Sequence, residues 1–557
     1  MKLLPVLKRR LVQGRPFLLL FALVFLRFLY YGFRYFPQID DYIQYSSYNL
    51  LPTANWLKDT ITRSLNTTRP LASFLDRTLW SSFLGAMIVP VAAISAMYAA
   101  AALMLRSVFS RRFSVSWLFL ILIAILPVTF EGTYWMSAST RIVTGLFFVA
   151  MSLKFFEKWT FSGHWYYLAL FLTAQLIGAN LYEQVLVFSV MATLILAVLY
   201  VKEQKRAYAG LACVPIAAAA YWLTKALSRS ALLQTRSETI FPTDSGYFTS
   251  FMPEVLQQLK SVFLGGSFYT LVKGFVRGAV ILVTSPNFIY IIALLAAITL
   301  LFLFLRKPSE KDDENLPGKR KFVLQIIIGA ILAAAPLAPF FILTQTFISL
   351  RAIITSLPGI ALIADAVFGL CLSKAAARRT ISAAIVSAFA LVFCIASVSE
   401  LHDYMLTTKY DSEIVTLLAE TVAANDHTSG ESVGILNVSQ IYLTEQNYFY
   451  HEHIHGVTES SWALTGALNY FGNKYRLRVV PLPTGIMYEP WAKATSQLSN
   501  FRVLYMLLKN EDNEFVMVPV TAVSDANGRT KLIHRDTQQL LAISWEEDNY
   551  GYLELAE

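Results

Sequence analysis

The feature that most constrains this chain is its supply of long apolar runs. A helix needs ~20 mostly apolar residues to cross a bilayer. About eleven such runs lie near 16–34, 82–105, 115–131, 141–157, 165–181, 184–201, 208–226, 287–305, 322–342, 352–372 and 380–399. In hydrocarbon every backbone amide needs an internal partner, which leaves helices or closed barrels, and runs of this length select helices. Charged residues make up 15% of the chain and the mean hydropathy is +0.51, whereas soluble domains carry ~25% charge. The expected fold is a polytopic α-helical membrane protein with a C-terminal α/β domain outside the membrane.

Charge divides the chain at the same place. Residues 1–399 hold 36 Lys/Arg against 16 Asp/Glu, and residues 400–557 hold 10 against 21. The positive charge sits in short segments between apolar runs, at 2–15, 106–112, 154–158, 202–206, 306–321 and 374–379. This is the pattern of cytoplasmic loops, and it points to a lipid bilayer and not to nucleic acid as the partner. An N-terminus in the cytoplasm and an odd number of spans place the acidic region 401–557 outside. The first run follows Lys8, Arg9 and Arg10 and has no small-residue cleavage site, so it reads as a retained anchor. The outer loops are then about 35–80, 131–141 and 227–286. The last contains a stretch suited to a helix lying in the interface or to a re-entrant segment.

Beyond residue 400 the period of the pattern changes. A helix is expected over 411–425 and another over 460–471. Strands are expected over 433–438, 478–482, 502–508 and 514–520. Helices interleaved with strands predict a small α/β domain. The three cysteines, Cys213, Cys371 and Cys394, fall in apolar runs and form no metal-binding pattern.

The candidate chemistry lies at the outer edge. Asp40 and Asp41 follow the first run within a few residues, flanked by Tyr35 and Tyr42, and Thr68, Arg69, Pro70 and Leu71 follow in the same loop. Glu131 and Glu183 stand at helix ends in otherwise apolar sequence. Acids at membrane depth are costly and line polar cavities. A carboxylate can act as general base on an acceptor hydroxyl, while arginines hold a leaving phosphate. Arg69 and Arg351 suit that second role, with Arg141 beside them. Tyr42 and Trp135 could stack on a sugar, although an interfacial aromatic belt is the simpler explanation of such residues. His451, His453 and His455 alternate as zinc ligands would along one strand face, or as a His-rich surface loop would. Asn66 and Asn437 open glycosylation tripeptides.

An outward Asp40-Asp41 pair after the first span, Arg69-Pro70-Leu71 in the same loop, and Tyr182-Glu183 at a helix junction resemble the GT-C superfamily of integral-membrane glycosyltransferases, in particular the bacterial O-antigen glucosyltransferase type. The resemblance covers most of residues 1–400, with 401–557 as the extracytoplasmic domain. It implies transfer of a sugar from a polyprenyl-phosphate carrier to an extracytoplasmic glycan or lipid, with inversion. Either Asp41 or Asp40 would be the base, and Arg69 and Arg351 would bind the donor phosphate. Glu131, Glu183, Tyr42 and Trp135 would position sugar or acceptor. Glu131 stands without a second acid in an Asp-x-Asp pair, which leaves a divalent metal, Mg2+ or Mn2+, open. The alternative class is a transporter or lipid-linked-glycan flippase. Transporters keep charge near the midplane; here Arg27 and Asp365 are the main midplane charges.

Overall fold

The computed structural model describes residues 3–46, 55–83, 85–228, 238–307, 319–344, 347–372, 378–424, 431–443, 454–471, 477–483, 498, 500–510, 512, 514–524, 526 and 530–543. The chain divides into two compact units. The first comprises Met1–Tyr35, Thr53–Leu401 and Asn447–His453, and the second Phe36–Pro52, His402–Gln446 and Ile454–Glu557. The segment carrying Asp40, Asp41 and Tyr42 therefore belongs to the second unit, away in sequence from the bulk of it.

The helices, in chain order, are α1 (Leu3–Leu26), α2 (Asp41–Ser46), α3 (Trp56–Leu65), α4 (Pro70–Thr78), α5 (Ile88–Phe109), α6 (Trp117–Ile125), α7 (Phe130–Tyr134) and α8 (Met136–Ser162). They continue with α9 (Trp165–Ala179), α10 (Glu183–Val201), α11 (Cys213–Leu227), α12 (Tyr247–Thr284), α13 (Phe288–Arg306), α14 (Lys319–Ala334), α15 (Ile353–Leu372), α16 (Arg378–Ala423) and α17 (Ser461–Tyr470). Among the described residues, nine helices are long and apolar enough to cross a membrane. A tenth is reached if the bent pair Trp117–Ile125 and Pro127–Tyr134, 46° apart, is one span. The protein is thus a polytopic helical protein with a C-terminal sheet.

The expected span at 165–181 is the shorter apolar helix α9, of 15 residues, and three further segments differ from the expected spans. The first run ends as helix at Leu26 and continues in turns, so its apolar helical part, Gly14–Leu26, is short. The outer stretch expected as an interfacial helix or a re-entrant segment forms one helical segment of 38 residues, α12, long and apolar enough to cross a membrane, in which α- and π-type turns alternate. The last run does not stop before the tail domain. Nothing in the 46 residues of α16 is Gly or Pro, so no residue breaks the helix where apolar sequence gives way to polar.

In the second unit six strands form one sheet: β1 (Ser432–Val438), β2 (Arg478–Pro483), β3 (Val503–Lys509), β4 (Phe515–Ser524), β5 (Thr530–His534) and β6 (Leu540–Ile543), in the order β2-β1-β3-β4-β5-β6. β1 runs parallel to β2 and β3, with α17 between β1 and β2 in sequence, and the remaining pairs are antiparallel. Alternate residues feed two cores. Ile435, Tyr505 and Leu507 pack with Ile414, Val415, Leu418 and Val422 of α16 and with Leu464 of α17. Leu436, Met506 and Leu508 pack with Leu482, Val520 and Leu532 on the other face.

Candidate functional site

In the first unit the predicted polar residues gather at the N-terminal ends of α8, α10 and α15. Pro70 starts α4 at its first turn, where its missing N–H costs nothing, and leaves Arg69 as the N-cap residue. The Arg69 guanidinium grips Glu183, the first residue of α10, in a bidentate pair. Nε lies 2.9 Å from Oε1 and Nη2 lies 2.8 Å from Oε2. The same guanidinium stands 4.7 Å from the centre of the Tyr182 ring. Burial opposes the Arg69 charge, but the Glu183 carboxylate outweighs it and holds the guanidinium above its ordinary pKa. A cavity of about 80 Å³ opens here, lined in part by Thr68, Arg69, Asn180, Glu183, Tyr221 and Thr224.

Two further pairs repeat the arrangement. Arg141, in the second turn of α8, places Nη2 3.0 Å from Asp76 Oδ2, and Thr140 Oγ1 donates to Asp76 Oδ1 at 2.9 Å. Asp76 lies two turns of α4 beyond Arg69, on the same face. Burial raises its carboxyl above the usual range, and Arg141 pulls it back. The third pair joins Glu131 of α7 to Arg351. The Arg351 backbone N–H donates to Glu131 Oε2 at 3.2 Å, its Nη1 lies 3.7 Å from Oε1, and its guanidinium stands 4.9 Å from the Trp135 ring centre. Trp135 and Arg141 are six residues apart at the start of α8, ~9 Å along the axis.

Glu131 and Trp135 are themselves buried. Access for a ligand is greatest at Glu183, whose side chain is 53% exposed, and at Arg351, 27% exposed. Three arginines, each beside a carboxylate and close to a helix N-terminus, make a region that can accept an anion by re-pairing. The helix ends add positive partial charge, and Trp135 and Tyr182 cap α8 and α10 without a side-chain bond to the free amides. Nearby, Arg27 is fully buried, and its Nη1 and Nη2 donate to Thr129 and Thr133 at 3.3 Å each.

The acids of the first outer loop have unlike surroundings in the second unit. Asp41 is fully buried, and its Oδ2 accepts the Gln38 backbone N–H at 3.0 Å, closing the turn that starts α2. Tyr42 is fully buried too, among Leu464, Val415 and Tyr505. Burial pushes its phenol well above the ordinary value, and the carboxylates of Asp411 and Asp41 push further. Neither is presented for sugar contact. Asp40 is half-buried, and its Oδ1 accepts the Trp462 indole N–H at 3.0 Å. Trp462 is 59% exposed. Ile39, just before, has φ 23°, a strained value for a β-branched residue.

Trp462 is the residue that sequence reasoning missed; nothing local marks it. Asp76 could have been found from its seven-residue spacing to Arg69. Of the His-rich stretch, His451 and His453 lie outside the described residues, and His455 stands 3.6 Å from Glu459. Asn437 is buried in β1 and its amide donates to Leu507 O at 2.8 Å, so it is closed to glycosylation in the folded state. Among the described residues no three His, Cys, Asp or Glu side chains converge to hold a metal ion.

No protein-family model matches the chain, and no curated protein is detectably similar to it in sequence.

Proposed function

We propose that the chain is a membrane glycosyltransferase that moves a sugar from a polyprenyl-phosphate carrier to a hydroxyl of an extracytoplasmic glycan or lipid, with its C-terminal unit outside the membrane. Asp40 is the general base. It accepts the proton of the acceptor hydroxyl as that oxygen attacks the anomeric carbon. The bond from that carbon to the phosphate oxygen breaks, and polyprenyl phosphate leaves with both electrons, which gives inversion. Arg69 and Arg351 hold the phosphate, and Glu183 re-pairs with a sugar hydroxyl when Arg69 turns to the donor. Trp462 offers its exposed indole face to the acceptor sugar.

The observation that carries this reading is the half-buried Asp40 carboxylate held by an exposed indole beside a strained residue. Strain persists where surrounding structure enforces it, and it clusters at functional sites. Arginine–carboxylate pairs at one set of helix ends also suit surface chemistry better than passage through a midplane. The test uses purified protein in liposomes with a polyprenyl-phosphate hexose and a glycan acceptor. Asp40→Asn is expected to abolish transfer while donor binding survives. Transfer at the wild-type rate by that variant overturns the assignment.

A further inference from the structure

A second cavity lies between α1 and α13. It has a volume of about 840 Å³, within the roughly 300–1,000 Å³ of small-molecule pockets. The two helices run antiparallel. At one end the Asn287 amide donates to the Tyr30 carbonyl at 2.6 Å, and Tyr30 Oη donates to the Ser285 carbonyl. The other end brings Arg15 beside Arg306 and Lys307. Between the ends, small side chains such as Ala297 leave room between the walls. Leu18 and Leu300 are 53% and 59% exposed along the groove.

An apolar trough closed at one end by three cations has the shape and charge to hold an anionic lipid. Among the described residues none of the three cations has a carboxylate partner. Polybasic segments at a membrane surface attract anionic headgroups, and basic pockets between spans bind them. Lysine and arginine stems lie along apolar surface and deliver their charge to the headgroup layer. We infer that the α1–α13 groove is a binding site for one anionic glycerophospholipid, with an acyl chain against Leu18, Ala297 and Leu300 and the headgroup phosphate on Arg15, Arg306 and Lys307. This site is separate from the proposed reaction and does not depend on it.

The experiment is native mass spectrometry of the full chain released from vesicles of equal phosphatidylglycerol and phosphatidylcholine. Wild type is expected to retain phosphatidylglycerol preferentially. At roughly fivefold per cation, the combined variant Arg15→Gln, Arg306→Gln, Lys307→Gln should lose on the order of a hundredfold of that preference. Ala297→Trp fills the trough and leaves the charges, so it also should lose retention, and it serves if the charge variant inserts poorly. The variant Lys202→Gln, Lys205→Gln, exposed lysines at another helix end, should keep the preference. Equal retention of both lipids by wild type, or full preference in Ala297→Trp, or equal loss in the Lys202 and Lys205 variant, overturns the site.

Discussion

The indole N–H of Trp462 donates to Asp40 Oδ1 at 3.0 Å and ties the first turn of α17 to a carboxylate 422 positions earlier in the chain. The bond fixes the orientation of the Asp40 carboxylate, the group proposed to take the acceptor proton. A hydrogen bond to a charged group is worth ~1.5–3 kcal/mol when buried, and this exposed one falls below that range. Trp462→Phe removes the N–H and keeps a ring, so kcat should drop roughly three- to tenfold with the acceptor KM little changed. Trp462→Ala removes the ring as well, and the acceptor KM should then rise. Initial rates at varied acceptor separate the two, and equal KM values in both variants would refute stacking on Trp462.

Asp41 has the opposite character. Its carboxylate is fully buried and receives the Gln38 backbone N–H at 3.0 Å. Asp41→Asn can present that amide group with a hydrogen where an acceptor is needed, leaving a buried donor unsatisfied at a cost of ~1–3 kcal/mol. The expected outcome is a lower Tm for the purified protein with near-normal turnover per folded molecule. Thermal unfolding and active-site-normalised rates are the measurements. A stable Asp41→Asn protein with no turnover would transfer the base role from Asp40 to Asp41.

Arg69 engages Glu183 through Nε and Nη2 together. That geometry needs the planar fork of a guanidinium, which a lysine lacks. Arg69→Lys should therefore behave like Arg69→Ala in donor affinity, with the donor KM raised at least about tenfold in both. The pair is partly exposed, 24% and 53%, so its own contribution to stability is small, ~1 kcal/mol or less in a double-mutant cycle. Full donor affinity in Arg69→Lys would show that a point charge suffices and that the fork is not used.

How much of this was legible in the sequence follows from range. Apolar runs and alternating strands are local signals, and they located β1 to β4 and, among the described residues, every one of the nine long apolar helices except α12. Breakers are local too, and their absence from 378–423 explains why the last span and the next helix are one. β5 and β6 were missed because Thr530–His534 and Leu540–Ile543 are short and carry little apolar alternation. Glu131 and Glu183 stand out as acids in apolar sequence, and Arg69 and Arg351 as arginines of the outer edge, but their pairing across 114 and 220 positions is not a local property. The same holds for Tyr42. As a loop aromatic it read as a sugar platform, whereas α17 packs so close to α2 that a Cβ at Gly466 would lie 3.1 Å from the Tyr42 carbonyl carbon and the ring is buried.

Gly132 tests how tightly the third pair is held. It follows Glu131 directly, and a Cβ there would meet Ile354 Cδ1 at 2.3 Å and Arg351 Cβ at 3.1 Å. The Ile354 methyl is the tip of a flexible side chain and can be trimmed, whereas Arg351 is anchored through its backbone N–H to Glu131. Gly132→Ala should therefore cost ~1–3 kcal/mol by overpacking and push Arg351 away from the position from which it is proposed to hold phosphate. Adding Ile354→Val removes the atom in the nearest clash. The double variant should recover most of the lost Tm, yet regain donor affinity only in part, because the contact with Arg351 Cβ remains. Thermal unfolding and the donor KM, measured on the single and double variants, check both halves. Complete recovery of the donor KM together with Tm would mean that Gly132 serves packing against Ile354 alone and that Arg351 is not displaced.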